Sequence, residues 1–263
     1  MRNLLTRSLS GFVYVSLFLA AILFSSESYI ALTGIFGAVC IWEFSKLIQH
    51  KSIVPYIWLG VILYASYISL KIEYIHYVNG FTIAGLGILI YLLFSHKPIN
   101  SKNTLQKLFL QIIYIILPFY YLINLPFING VYKPNIVIYI LILIWVNDSF
   151  AYLVGKNFGK HKLFVSVSPK KTIEGFIGGW VFALIASLII SKYSDFNYVS
   201  WLIIASLVSI FGTIGDLVES KFKRQANIKD SGSIMPGHGG LLDRLDSLFF
   251  AAPFVFLYIH FLL

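Results

Sequence analysis

Long apolar runs separated by short polar segments dominate this chain. A bilayer core of ~30 Å takes roughly 20 apolar residues in helical form. Nine windows qualify: residues 8–26, 29–48, 53–70, 75–94, 108–126, 135–154, 174–191, 199–218 and 245–263. The third, seventh and ninth are a little short, which tilt and bilayer thinning accommodate. The runs lack the two-residue alternation of barrel strands, and backbone groups in hydrocarbon must be bonded within their own segment, so helices are expected. The pattern predicts an all-α polytopic membrane bundle of about nine helices. It reads as a single membrane domain over 1–263, with N-terminal spans in 1–140 and the spans that carry the longest polar loops in 141–263. Arg2 and Arg7 ahead of the first run resemble a signal peptide. Without a small-residue cleavage site, and with further spans following, an uncleaved first helix is expected.

Composition agrees: 58% of residues are apolar and 12% charged, against about 25% charged in a typical soluble domain. The net charge of +9 would suit nucleic acid in a soluble protein. Here it fits basic loops beside anionic headgroups, and no nucleic-acid partner is expected. With the N-terminus in the cytoplasm, 17 of the 20 Lys and Arg fall on the inner side, and only Lys71, Lys133 and Lys192 lie outside. That asymmetry predicts the orientation and supports the count, since losing one span would invert every later loop. The longest non-apolar stretches, 155–173 and 219–244, then face the cytoplasm. The one cysteine, Cys40, can form neither an intrachain disulfide nor a metal site by itself.

Acids are few, and seven of them, Asp148, Glu174, Asp216, Glu219, Asp230, Asp243 and Asp246, lie between residues 148 and 246, with Asp195 placed on the outer side. An ionisable group at membrane depth costs ~2.5–3.5 kcal/mol or more, so Asp148 and Asp216 point to function. Asp216, Glu219 and Ser220 share one helix face by their i, i+3, i+4 spacing, and Asp243 and Asp246 share another. Two helices offering carboxylates near the inner surface can chelate a hard divalent cation such as Mg²⁺, which takes oxygen ligands and keeps substrate phosphates in its shell. Alternatively, these acids pair with Lys221, Lys223, Arg224 and Arg244.

Before the seventh window, Ser168 suits an N-cap and Pro169 the first helical position. A helix N-terminus there, with Lys170 and Lys171 beside it, would bind phosphate. In the loop 231–240, Gly232, Gly237, Gly239 and Gly240 let backbone N–H groups approach phosphate oxygens, and His238 between them could orient a ligand. Lys223, Arg224 and Lys229 could neutralise a phosphate. Gly178, Gly179 and Gly212 suit close helix packing.

These segments resemble the phosphatidate cytidylyltransferase family. The likeness rests on Ser220-Lys221-Phe222-Lys223-Arg224, Lys229-Asp230-Ser231-Gly232, Pro236-Gly237-His238-Gly239-Gly240 and Asp243-Arg244-Leu245-Asp246. Upstream, Asp148-Ser149-Phe150-Ala151-Tyr152, Gly155, Phe158-Gly159-Lys160 and Ser168 to Gly175 also match, whereas the first ~140 residues match only as a hydropathy pattern. Met235 and Phe150 depart from the usual residues.

The resemblance implies a bacterial inner-membrane, multi-pass enzyme with its site facing the cytoplasm. It would transfer the CMP moiety of CTP to phosphatidic acid, giving CDP-diacylglycerol and pyrophosphate. It further implies Mg²⁺ dependence, potassium as a second ion, and a homodimer among membrane lipids. Carried onto this chain, Asp216, Asp243 and Asp246 bind metal, and Lys223 and Arg224 join them at the catalytic centre. Ser168, Pro169, Lys170, Lys171, Thr172, Asp148, Lys229, Asp230, His238, Gly239, Gly240 and Arg244 face the substrates. The rival readings are a CTP-dependent lipid-alcohol kinase, a cytidylyltransferase for another lipid, and a transporter. The transporter predicts polar clusters on both sides and repeated halves, and neither is visible here.

Overall fold

The computed structural model describes residues 2–68, 75–95, 97–99, 103–237 and 239–263. Helix α1 (Arg2–Phe24) and helix α2 (Ser26–Leu47) meet at Ser25. Its hydroxyl accepts from Ser28 N, and the Ser28 hydroxyl accepts from Ser25 N, a reciprocal cap that starts α2 abruptly. Helices α3 (Val54–Tyr67) and α4 (Ile75–Phe94) follow. Helix α5 (Thr104–Gln111) continues through a π-helical turn, Ile112–Ile116, into α6 (Leu117–Asn124). The wide turn precedes Pro118, which has no N–H to give and whose ring crowds the carbonyl four residues back. A hairpin of β1 (Phe127–Ile128) and β2 (Val131–Tyr132) turns at Asn129 and Gly130, both at positive φ as a two-residue loop requires.

Helix α7 (Pro134–Phe158) leads into a second hairpin, β3 (Lys162–Phe164) and β4 (Ser168–Thr172). Then come α8 (Ile173–Ile190), α9 (Tyr198–Gln225) and α10 (Leu242–Phe261). Of the described residues 77% are helical, and the helical segments fall on the windows the hydropathy marks. Among the described residues six helices are long and apolar enough to cross a membrane: Ser26–Leu47, His76–Phe94, Thr104–Asn124, Pro134–Phe158, Ile173–Tyr193 and Tyr198–Gln225.

On α8 the packing is inverted relative to a soluble helix. On α8, Gly175, Gly179, Ala183 and Ser187 recur every four residues and are buried. Ile173, Ile177, Val181 and Ile185 stand exposed on the outer side. Small residues inward let backbones approach, and large apolar ones outward suit lipid. Thus Gly179 backs onto Asn147 and Ala151 of α7. Helix α9 runs through the centre, against α10, α8, α7 and α4. Phe44, Tyr114 and Phe222 cluster in tilted and edge-on contacts with centroids 5.0–5.4 Å apart, joining α2, the π-turn and α9. Lys221 gives its ammonium to the carbonyls of Leu92, Leu93 and Ser95, tying α9 to the free carbonyl end of α4.

Candidate active site

Helices α9 and α10 touch because α9 has glycine where they cross. A Cβ on Gly215 would lie 2.5 Å from Phe250 Cβ and 2.6 Å from the Asp246 carbonyl, while Gly212 faces Ser247 at a relaxed 3.5 Å. At the end of this seam α9 presents Asp216, Glu219 and Lys223 on one face, and α10 presents Asp243 and Asp246 from its first turns. Lys223 Nζ bridges the helices, 2.8 Å from Glu219 Oε2 and 2.6 Å from Asp243 Oδ1. Glu219 and Asp246 are both buried. Asp246 Oδ1 accepts the N–H of Ser247 at 2.7 Å, and its carboxylate lies close to those of Asp216 and Glu219.

The glycine loop closes on the same carboxylate. Asp243 Oδ2 accepts from Ser231 N (2.9 Å) and Gly240 N (2.7 Å), so one side chain holds both ends of the loop. Inside it, Met235 pairs with Gly239, and Gly237 and Gly239 take positive φ, a backbone that side-chain-bearing residues adopt only with strain. An open depression of about 510 Å³ lies over the loop, with Lys229, Asp230, Gly239 and Arg244 on its wall. His238, expected here, lies outside the described residues.

The β3–β4 hairpin packs against α9 beside these acids, and here the sequence expectation needs correcting. Ser168 is not an N-cap and Pro169 does not open a helix. Residues 168–172 pair with β3, Phe164 against Ser168 and Lys162 against Thr172. The N-cap of α8 is Thr172, whose hydroxyl accepts Gly175 N at 3.1 Å. Thr172 also fills the space left by Gly155, Gly159 and Gly175, so it roots the hairpin between α7 and α8. Strand alternation then sends Lys171 inward to Asp216, with Nζ–Oδ2 at 2.5 Å, and leaves Lys170 exposed. Arg224 Nε donates to the Val167 carbonyl at 3.3 Å, latching the hairpin to α9. Asp148, on α7, accepts from Asn147 Nδ2 at 3.3 Å and lies in the field of Lys171, Asp216 and Arg244.

The structure thus gathers Asp148, Lys171, Asp216, Lys223, Arg224, Asp243, Asp246 and the glycine loop at one end of the bundle. Among the described residues no three carboxylate, imidazole or thiol side chains are arranged to hold a metal as they stand. The reason is visible: ammonium groups occupy the acids, Lys171 on Asp216 and Lys223 on Glu219 and Asp243. Asp216, Glu219 and Asp243 share two lysines, and with Asp246 beside them the acids outnumber those ammonium groups. Glu219 Oε1 is buried without a hydrogen-bond partner, as is Asn147 Oδ1. A buried oxygen left unpaired is costly, and hard oxygen donors are what a divalent ion takes. The residues present therefore fit such a cation.

Two contributions escaped the sequence reading. Glu43 of α2 is wholly buried against the glycine loop, although an acid inside the apolar window 29–48 is itself the signal that should have marked it. Ser10 of α1 donates to the Pro236 carbonyl at 3.0 Å, a contact no spacing rule announces.

Against known proteins, the sequence profile described as the cytidylyltransferase family matches residues 5–262. Phosphatidate cytidylyltransferase of Bacillus subtilis is 34% identical over 258 residues, covering 95% of each chain. The proteins of that name from Staphylococcus saprophyticus and Staphylococcus haemolyticus are 49% and 50% identical over 119 residues, 44% of this chain and 46% of theirs. With the profile spanning nearly every residue and a relative matched end to end, this chain belongs to the cytidylyltransferase family.

Proposed function

We propose that the protein transfers the cytidylyl group of CTP to phosphatidate, forming CDP-diacylglycerol and releasing pyrophosphate. The observation that carries this reading is the meeting of three acids held by two lysines with a glycine loop at one end of an apolar bundle. A phosphatidate oxygen attacks the α-phosphorus of CTP, the bond from that phosphorus to the β-phosphate oxygen breaks, and pyrophosphate carries away the electron pair. Phosphatidate is already an anion near neutral pH, so no general base is needed. Positioning and charge neutralisation do the work.

Lys171 and Lys223 are placed to exchange their carboxylate partners for phosphate oxygens. Arg244 and Lys229, on the wall of the depression, face the remaining triphosphate charge. Asp216, Asp243 and Asp246 would hold magnesium, with Glu219 beside them. Bound there, the ion would neutralise the triphosphate and the departing pyrophosphate. The diacyl tails remain in the bilayer while the headgroup enters between helices.

The same reading places all nine helical segments across a bacterial inner membrane, N-terminus and site in the cytoplasm, in a homodimer. The excess of basic residues at the site end supports the orientation. Membrane-impermeant thiol reagents applied to intact cells should label Asp195→Cys and not Lys160→Cys; the reverse pattern refutes it. Cross-linking in native membranes tests the dimer.

The decisive assay is purified protein with α-labelled CTP, magnesium and phosphatidate. Label should enter the lipid phase with equimolar pyrophosphate, cease on chelation and resume with magnesium. Phosphorylation of an added lipid alcohol, with none of these, would overturn the reading in favour of a kinase.

A further inference from the structure

We infer that Glu43, from the N-terminal half of the chain, is a positioning residue that sets the shape of the glycine loop and so the affinity for the nucleotide. The inference rests on the reading that this loop receives CTP. Helix α10 begins at Leu242 with no side chain of its own capping the first turn. The N–H groups there need an acceptor, and Glu43 supplies it from α2. Its Oε2 accepts Leu242 N at 2.8 Å and its Oε1 accepts Leu241 N at 3.2 Å. Oε2 also lies 3.4 Å from Ser231 Oγ, at the other end of the loop.

Ser231 is therefore held twice, by its N–H on Asp243 and its hydroxyl on Glu43. The two glycines flanking the contact have no room for more. A Cβ on Gly240 would come within 2.6 and 2.7 Å of the Glu43 oxygens, and one on Gly232 would meet the same carboxylate. The loop is thus moulded onto a buried anion, whose charge is also favourable at a helix N-terminus. Asp243, one residue past Leu242, inherits its direction from this anchor. Glu43 touches no reacting atom in this arrangement; it acts through Asp243 and the loop N–H groups.

Glu43→Gln keeps the volume but turns one acceptor into a donor that opposes the N–H groups of Leu241 and Leu242. Two readouts are taken on purified protein: hydrogen exchange of the amides of residues 231–243, and KM for CTP and for phosphatidate. The expected result is faster exchange confined to 231–243, a KM for CTP raised about tenfold, and a phosphatidate KM within twofold of wild type. Unchanged exchange overturns the inference whatever the activity. Faster exchange with a wild-type KM for CTP overturns it too, leaving Glu43 a cap and nothing more. Should Glu43→Gln not survive extraction, Ser231→Ala removes one donor to the same carboxylate and is judged by the same pair of outcomes, at a smaller shift. Turnover of the wild type with CTP and phosphatidate tests the proposed function separately, since the exchange result stands without it.

Discussion

Lys171 Nζ sits 2.5 Å from Asp216 Oδ2, an ion pair that pins the β3–β4 hairpin to the middle of α9. It pairs a residue expected to meet phosphate with one expected to meet metal. Lys171→Met should lower kcat/KM for CTP by about 10²-fold, the scale of removing one preorganised charge-stabilising donor. Lys171→Arg, which keeps the pair, should lose less. The check is incorporation of labelled CTP into lipid; wild-type kcat/KM in Lys171→Met would take this residue out of the site.

Lys223 serves two acids at once. Removing one member of a buried pair strands the partner charge at a cost of ~3–5 kcal/mol. Lys223→Met should therefore melt well below the wild type in detergent. Lys223→Met with Glu219→Gln should recover part of the loss, because the stranded charge is gone. A double variant no more stable than the single would show that the pair is not what holds this seam.

Two glycines on one helix should answer differently to the same change. Gly215→Ala places a methyl against Phe250 and the Asp246 carbonyl, and overpacking of this kind costs ~1–3 kcal/mol. It should also cut turnover by moving the turn that carries Asp246. Gly212→Ala meets only an ordinary contact with Ser247, and gains up to ~1 kcal/mol of helix propensity. Its melting temperature should hold or rise. The comparison is a pair of thermal unfolding curves with activity measured on each.

Lys221 belongs to the same basic run as Lys223 yet faces away from the site, toward the carbonyl end of α4. Lys221→Met should lower stability, since three carbonyls at the end of α4 lose their donor, while the KM for CTP stays within twofold of wild type. A KM shift as large as that of Lys171→Met would mean that Lys221 reaches substrate after all.

Much of this protein was legible in the chain itself. Hydropathy placed the helices because membrane burial is a property of each segment taken alone, and the backbone of such a segment has one way to satisfy its hydrogen bonds. The spacing of Asp216 and Glu219, and of Asp243 and Asp246, fixed which acids share a face, since that follows from helical geometry. The family resemblance named candidate site residues, several of which the packing brings to one end of the bundle. What the spacing could not supply was the partner of each charge. Residues 168–172 offered a serine, a proline and two lysines, which suit a helix start as well as a strand. Pairing with β3 decided the matter, and it turned Lys171 inward and Lys170 out. Glu43 is the plainest case: its acceptors meet N–H groups about 200 residues later in the chain. Only the packing of α2 against the start of α10 brings them together, because long-range pairing is set by which surfaces meet and leaves no period in the sequence.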